Sequence, residues 1–205
     1  MEELENINFE IVNDKKFDFK TFFQNNKESV YSIIFYVFGL ILGSYFYAVS
    51  KSEAVNTVLT EVTKSFSVAV VANLMLYLSL FLLIVLMGFS LIGFAVMNFI
   101  PVIAGIFYGM KCACYFSLYS GKGIGYILLL IAPVSALLIS LIVYALSCNS
   151  KLSKTIYEAV KNKNRDNTFS VKSLLIEIII QLVLFSVLAV INASLSVGLE
   201  NIITI

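Results

Sequence analysis

The sequence predicts an all-α bundle of about five transmembrane helices with a cytoplasmic N-terminus. Hydrophobic residues make up 60% of the 205-residue chain and charged residues only 13%, against about 25% charged in typical globular domains. No charged side chain occurs from Ser65 to Met110, a stretch about twice as long as one helix needs to cross the hydrocarbon core. Because these apolar runs do not alternate with polar residues, a transmembrane β-barrel is not expected.

Windows with at most one charged residue set the predicted spans. In chain order they cover residues 29–50, 66–87, 91–118, 123–150 and 173–199. Gly88 and Gly93 bracket the predicted turn between the second and third spans, since glycine tolerates tight backbone geometry. Pro101 is expected to kink the third span or to lie in its first turn. Residues 121–123 (Gly-Lys-Gly) are predicted to form a short loop.

The distribution of lysine and arginine predicts the orientation. Segment 1–28 holds four lysines and the basic loop 151–172 holds six lysines and arginines, whereas the opposite face holds only Lys51, Lys64 and Lys122. With five spans, the two rich segments lie on one face, which the positive-inside rule assigns to the cytoplasm. The transmembrane domain then covers residues 29–199, and the tail 200–205 lies outside the cell.

Two cytoplasmic stretches are amphipathic when drawn as helices. They are residues 17–23, which are rich in phenylalanine, and residues 151–165. Such helices lie in the headgroup layer, with their lysines attracted to anionic lipid. Either these stretches only satisfy the positive-inside rule, or they form a dedicated docking surface.

The residue inventory argues against catalysis. The chain has no histidine, which excludes imidazole acid–base chemistry and histidine-ligated metal sites. The three cysteines, Cys112, Cys114 and Cys148, lie in apolar segments and are interpreted as small packing residues. No nucleophile–base pair or carboxylate dyad lies in the spans. We therefore expect no enzyme activity, no cofactor and no metal, and the net charge of +1 does not favour a nucleic-acid partner.

Small residues recur at helix-packing spacing. Gly39 and Gly43 form a GxxxG pair in the first span, and Gly105 and Gly109 repeat it in the third. This spacing lets helix backbones approach closely and pack by dispersion. A contact between helices of the same chain is the first interpretation, and a homo-oligomer is the alternative.

Polar residues inside the spans are functional candidates because they are costly in hydrocarbon. Lys111 lies about seven residues from the outer end of the third span, where its stem can extend towards the surface. Glu177 lies one turn inside the fifth span, and Gln181 lies one turn deeper. An ion path normally needs several such groups along one route, so these three support a transporter only weakly.

The stretch from Gly88 to Pro133 carries glycines, a lysine and a proline in a particular order. These residues are Gly88, Gly93, Gly105, Gly109, Lys122, Gly123 and Pro133. In this order they resemble the core of the stage II sporulation protein M family of Firmicutes, with its G-x-x-x-I-G turn, K-G-x-x-x-G helix and G-x-K-G loop. Ala104 and Ala95 depart from the family pattern, which has a lysine and often a proline at these positions.

The resemblance implies a scaffold in the bacterial cytoplasmic membrane that has no chemistry of its own. Its partners would be the lipid bilayer and other membrane proteins, and in the sporulation case it recruits cell-wall hydrolases during engulfment. The alternative is the permease subunit of an export system of the ABC-2 type. In that case the Phe-rich residues 17–23 would form a helix that docks an ATPase.

Overall fold

The computed structural model describes residues 27–50, 52–60, 66–162 and 171–203, and all regular structure in them is helical. The helices are α1 (Lys27–Ser50), α2 (Glu53–Leu59), α3 (Phe66–Gly88), α4 (Gly93–Val96), α5 (Ile100–Tyr126), α6 (Ala132–Asn162) and α7 (Val171–Ile203). A 3-10 turn, Met97–Phe99, joins α4 to α5, and a π-helical turn, Ile127–Ile131, joins α5 to α6. The predicted all-helical class is confirmed. The Phe-rich residues 17–23 lie outside the described residues.

Four continuous helical stretches are long and apolar enough to cross a membrane: Ser29–Ser50, Phe66–Gly88, Gly93–Glu158 and Leu174–Gly198. Large apolar side chains such as Val49 and Met75 are about 70% exposed, whereas several polar side chains are buried inside the bundle. This distribution is unfavourable in water and fits a protein inserted in lipid.

The stretch Gly93–Glu158 reverses direction at Ser120, which has a left-handed backbone conformation with φ 48° and ψ −118°. The rings of Tyr115 and Tyr126 stack with centroids 4.3 Å apart, although eleven residues of straight helix would separate them by about 16 Å. At the far end of α6, Ser153 Oγ donates a hydrogen bond of 2.6 Å to the carbonyl of Ser90, in the turn that precedes α5. The part of α5 that precedes Ser120 and helix α6 therefore run in opposite directions.

We call the end of the bundle with residues 89–92 the turn end, and the end with Ser120 the reversal end. The predicted loop 121–123 is helical, and the chain reverses one residue earlier than predicted. Gly123 has a different role, because a Cβ there would lie 2.3 Å from the carbonyl oxygen of Tyr115. The close approach of the two helical arms therefore requires glycine at this position.

The two prolines lie where each helix tolerates a missing N–H group. Pro101 lies in the first turn of α5, where the N–H groups have no intrahelical acceptor. Pro133 follows the π-helical turn, in which the N–H of Ala132 donates to the carbonyl of Ile127, five residues back. A proline ring crowds the carbonyl four residues earlier, and the wider π turn accommodates it.

The predicted basic loop 151–172 is partly helical, because α6 continues to Asn162. Leu152, on the predicted apolar face, is buried, but Val160 on the same face is 64% exposed. Residues 151–162 therefore extend α6 and do not form a separate helix. Residues 163–170 lie outside the described part of the chain.

The core lies between the helix pair α1 and α5, the helix pair α3 and α7, and helix α6. Helix α5 packs mainly against α1, α7 packs mainly against α3, and α6 lies against both α3 and α7. The rings of Phe81 on α3 and Phe185 on α7 have centroids 5.8 Å apart, and Leu138 and Ile142 of α6 are completely buried in the same cluster.

Candidate functional site

The four GxxxG glycines meet in one contact between α1 and α5. A Cβ on Gly43 would lie 2.1 Å from the carbonyl oxygen of Ile106, and Gly39 and Gly105 have a similar mutual constraint. Across this contact, Ser44 Oγ donates to the carbonyl of Gly109 at 3.3 Å. The glycine face of α1 packs against the glycine face of α5 in the same chain. Neither face is therefore open for a second copy.

The motif glycines of the turn pack against α6. A Cβ on Gly88 would lie 2.9 Å from Asn149 Oδ1, and a Cβ on Gly93 would lie 1.7 Å from the carbonyl oxygen of Met87. Ser153 Oγ accepts a hydrogen bond of 3.1 Å from the N–H of Phe94. Two residues one turn apart on α6, Asn149 and Ser153, thus hold the turn in place.

An amide pair joins α6 to α7 near the turn end. Asn149 Nδ2 donates to Gln181 Oε1 at 3.0 Å and to the carbonyl of Ala145 at 2.8 Å. Gln181 is only 1% exposed. Glu177, one turn away on α7, is exposed. Gln181 therefore belongs to the bundle interior, whereas Glu177 lies on its surface.

A second amide pair joins α3 to α7 nearer the reversal end. Asn192 Nδ2 donates to Asn73 Oδ1 at 2.8 Å, and Asn73 Nδ2 donates to its own helix. Between the two amide pairs, the hydroxyls of Tyr77 and Tyr108 form a hydrogen bond of 2.6 Å that joins α3 to α5. Together these bonds link four helices at three depths.

Lys111 is buried in α5, with 6% of its surface exposed. Its Nζ lies 5.3 Å from the ring centroid of Phe107, which is one turn closer to the turn end. The ammonium group therefore lies over an aromatic face.

The cysteines are free thiols in different surroundings. Cys114 is buried and donates to Asn56 Oδ1 at 3.7 Å, an oxygen that also accepts from Tyr47 Oη at 2.8 Å. Cys112 and Cys148 are half-buried. Within the described ranges, no three His, Cys, Asp or Glu side chains form a group able to hold a metal ion. Lys122 is exposed beside the reversal.

The asparagines of the polar interior were not among the candidate residues predicted from the sequence. The predicted interior candidates were ionisable groups and Gln181, whereas the interhelical bonds also use Asn73, Asn149 and Asn192. A usable signal was present, because Asn73 is an amide well inside a run without charged residues, where lipid offers no hydrogen-bond partner.

The fold and this interior define the class of protein, a helical bundle with a lipid-compatible surface and paired polar groups inside. No protein-family model, curated protein or solved structure matches the chain. The Phe-rich stretch on which the export-permease alternative depends lies outside the described residues.

Proposed function

We propose that the chain crosses the membrane five times, with its N-terminus in the cytoplasm. The stretch Gly93–Glu158 has 66 residues, and a straight helix of that length would be about 100 Å long, three times the hydrocarbon thickness. The reversal at Ser120 divides it into two arms, each long enough for one crossing, which supports two spans in this stretch. The lysine-rich segments then share one face, which supports the orientation.

Single cysteines in a background without the three native cysteines test this topology. Suitable changes are Ala54→Cys, Lys122→Cys and Lys161→Cys, because all three side chains are exposed. An impermeant thiol reagent should label the first two on intact cells and the third only after lysis. Labelling of positions 122 and 161 from the same side would contradict the single crossing that the proposal places between them.

We propose further that this bundle is a scaffold similar to the stage II sporulation protein M family. In this proposal it holds partner membrane or wall-remodelling proteins at the bacterial cytoplasmic membrane and catalyses no reaction. The supporting observation is the pairing of interior amides across helices, at Asn149–Gln181 and Asn73–Asn192. Polar groups that bond each other fix the helices in one arrangement, whereas a transport route needs groups that face a shared aqueous path.

Variants of the three intramembrane polar residues test the scaffold proposal. Lys111→Met, Glu177→Gln and Gln181→Met should complement a deletion strain whenever the variant folds and still cross-links to the partners of the wild-type protein. Thermal unfolding in detergent reports folding, and quantitative cross-linking reports partner retention. A folded variant that keeps its partners and fails to complement would instead indicate transport or chemistry.

A further inference from the structure

A small pocket lies at the turn end, where three parts of the chain meet. It has a volume of about 40 Å³ and lies between α1, the segment that enters α5, and α6. Four of its lining residues are polar: Ser32, Asn98, Ser147 and Ser150. Phe94 and Met97 form part of its apolar wall.

The polar lining is incompletely satisfied by protein groups. The side chains of Asn98 and Ser147 make no hydrogen bond to the part of the chain that the structure describes. Ser150 Oγ donates to the carbonyl of Ser147 at 3.4 Å, which is longer than most O–H···O bonds. Asn98 and Ser147 are half-buried, and polar side chains that line a small pocket without protein partners are normally satisfied by ordered water.

We propose that this pocket is a hydration site that holds a small cluster of ordered water and bridges α1, the turn and α6. A water needs about 10–15 Å³ of such space and two to four polar partners, so the pocket takes at most about three. It is far smaller than the roughly 300 Å³ of the smallest typical organic-ligand sites. No carboxylate lines it, which favours water over a cation.

Radiolytic hydroxyl-radical labelling of the full chain in lipid nanodiscs tests this site. Met97 lines the pocket and is 1% exposed, so radicals from bulk water do not reach it, whereas radicals formed from pocket water do. Met97 should therefore be oxidised in the wild-type protein. Its oxidation should fall several-fold in Asn98→Leu, which fills the pocket with an apolar side chain, and should fall less in Ser147→Ala.

Ser140→Ala is the matched control, because Ser140 lies on α6, like Ser147, and donates to the backbone carbonyl of Ala136. This variant should leave Met97 oxidation unchanged. Absence of Met97 oxidation in the wild-type protein would overturn the proposal. Unchanged Met97 oxidation in Ser147→Ala would also overturn it. This variant tests the proposal by itself if Asn98→Leu does not fold. Replacement of sodium by choline should change neither oxidation nor melting temperature, and a change would identify a cation site instead.

Discussion

At the scale of single residues, the interior amides are the most consequential side chains. Lipid offers no hydrogen bonds, so an amide inside a transmembrane bundle needs a partner in the protein. Asn192 Nδ2 donates to Asn73 Oδ1 across two helices. Such a pair stabilises by a modest amount when it is intact and destabilises strongly when one partner is lost.

Replacing Asn192 with leucine should lower the free energy of unfolding by about 1–3 kcal/mol, because Asn73 Oδ1 then lacks its donor inside the bundle. The double variant Asn73→Leu, Asn192→Leu should lose less than the sum of the two single changes. Reversible unfolding in mixed micelles measures this cycle. Ser186→Ala is the control, since Ser186 bonds its own helix. Strict additivity would show that the two amides do not interact.

Interior polar residues were predicted from the sequence only where they visibly interrupt an apolar run. Lys111 and Gln181 were identified as interior polar candidates because each interrupts an apolar run. The pairing of Gln181 with Asn149 was not predictable, since it depends on how α6 and α7 rotate about their axes. The same limit applies to Lys111, whose position over Phe107 follows from its rotamer.

At the scale of helices, the contact between α1 and α5 depends on backbone proximity. Gly43→Ala should lower the free energy of unfolding by about 1–3 kcal/mol, because the added methyl group overlaps the backbone at Ile106 and the helices must separate. Gly125→Ala is the matched control, since nothing lies within 4 Å of a Cβ there. Equal melting temperatures for both variants would mean that α1 is free to shift.

The turn between α3 and α5 depends on a hydroxyl from α6. Ser153→Ala removes the donor to Ser90 and the acceptor for the N–H of Phe94. We expect the free energy of unfolding to fall by about 1–3 kcal/mol and the amide hydrogen of Phe94 to exchange faster. Ser140→Ala should change neither quantity. If exchange at Phe94 is unaltered in Ser153→Ala, the hydroxyl does not hold the turn.

Helix boundaries were predictable where charges flank an apolar run or where glycines mark a turn. The predicted span 66–87 ends one residue before α3 ends at Gly88, and the predicted span 29–50 ends with α1 at Ser50. The glycines of residues 121–123 predicted the reversal to within one residue, but its position at Ser120 was not predictable, because serine has no intrinsic preference for a positive φ. The continuation of α6 through Lys151 was also missed, since a polar helix and a polar loop have similar composition.

At the scale of the whole molecule, the chain places apolar side chains outside and paired polar side chains inside. This arrangement supports insertion in a bilayer and a bundle held in one state. In the proposed scaffold, function depends on the partners that the surface holds and not on passage through the interior. That is the central claim behind the proposed scaffold.

Ion flux through purified protein in liposomes tests this claim most directly. A pH-sensitive dye inside the vesicles and an imposed proton or sodium gradient report any leak, and Lys111→Met provides the matched variant. The account predicts flux no greater than in protein-free vesicles for both proteins. Flux in the wild-type protein that disappears in a Lys111→Met variant of unchanged melting temperature would contradict it and identify a transport path through the bundle.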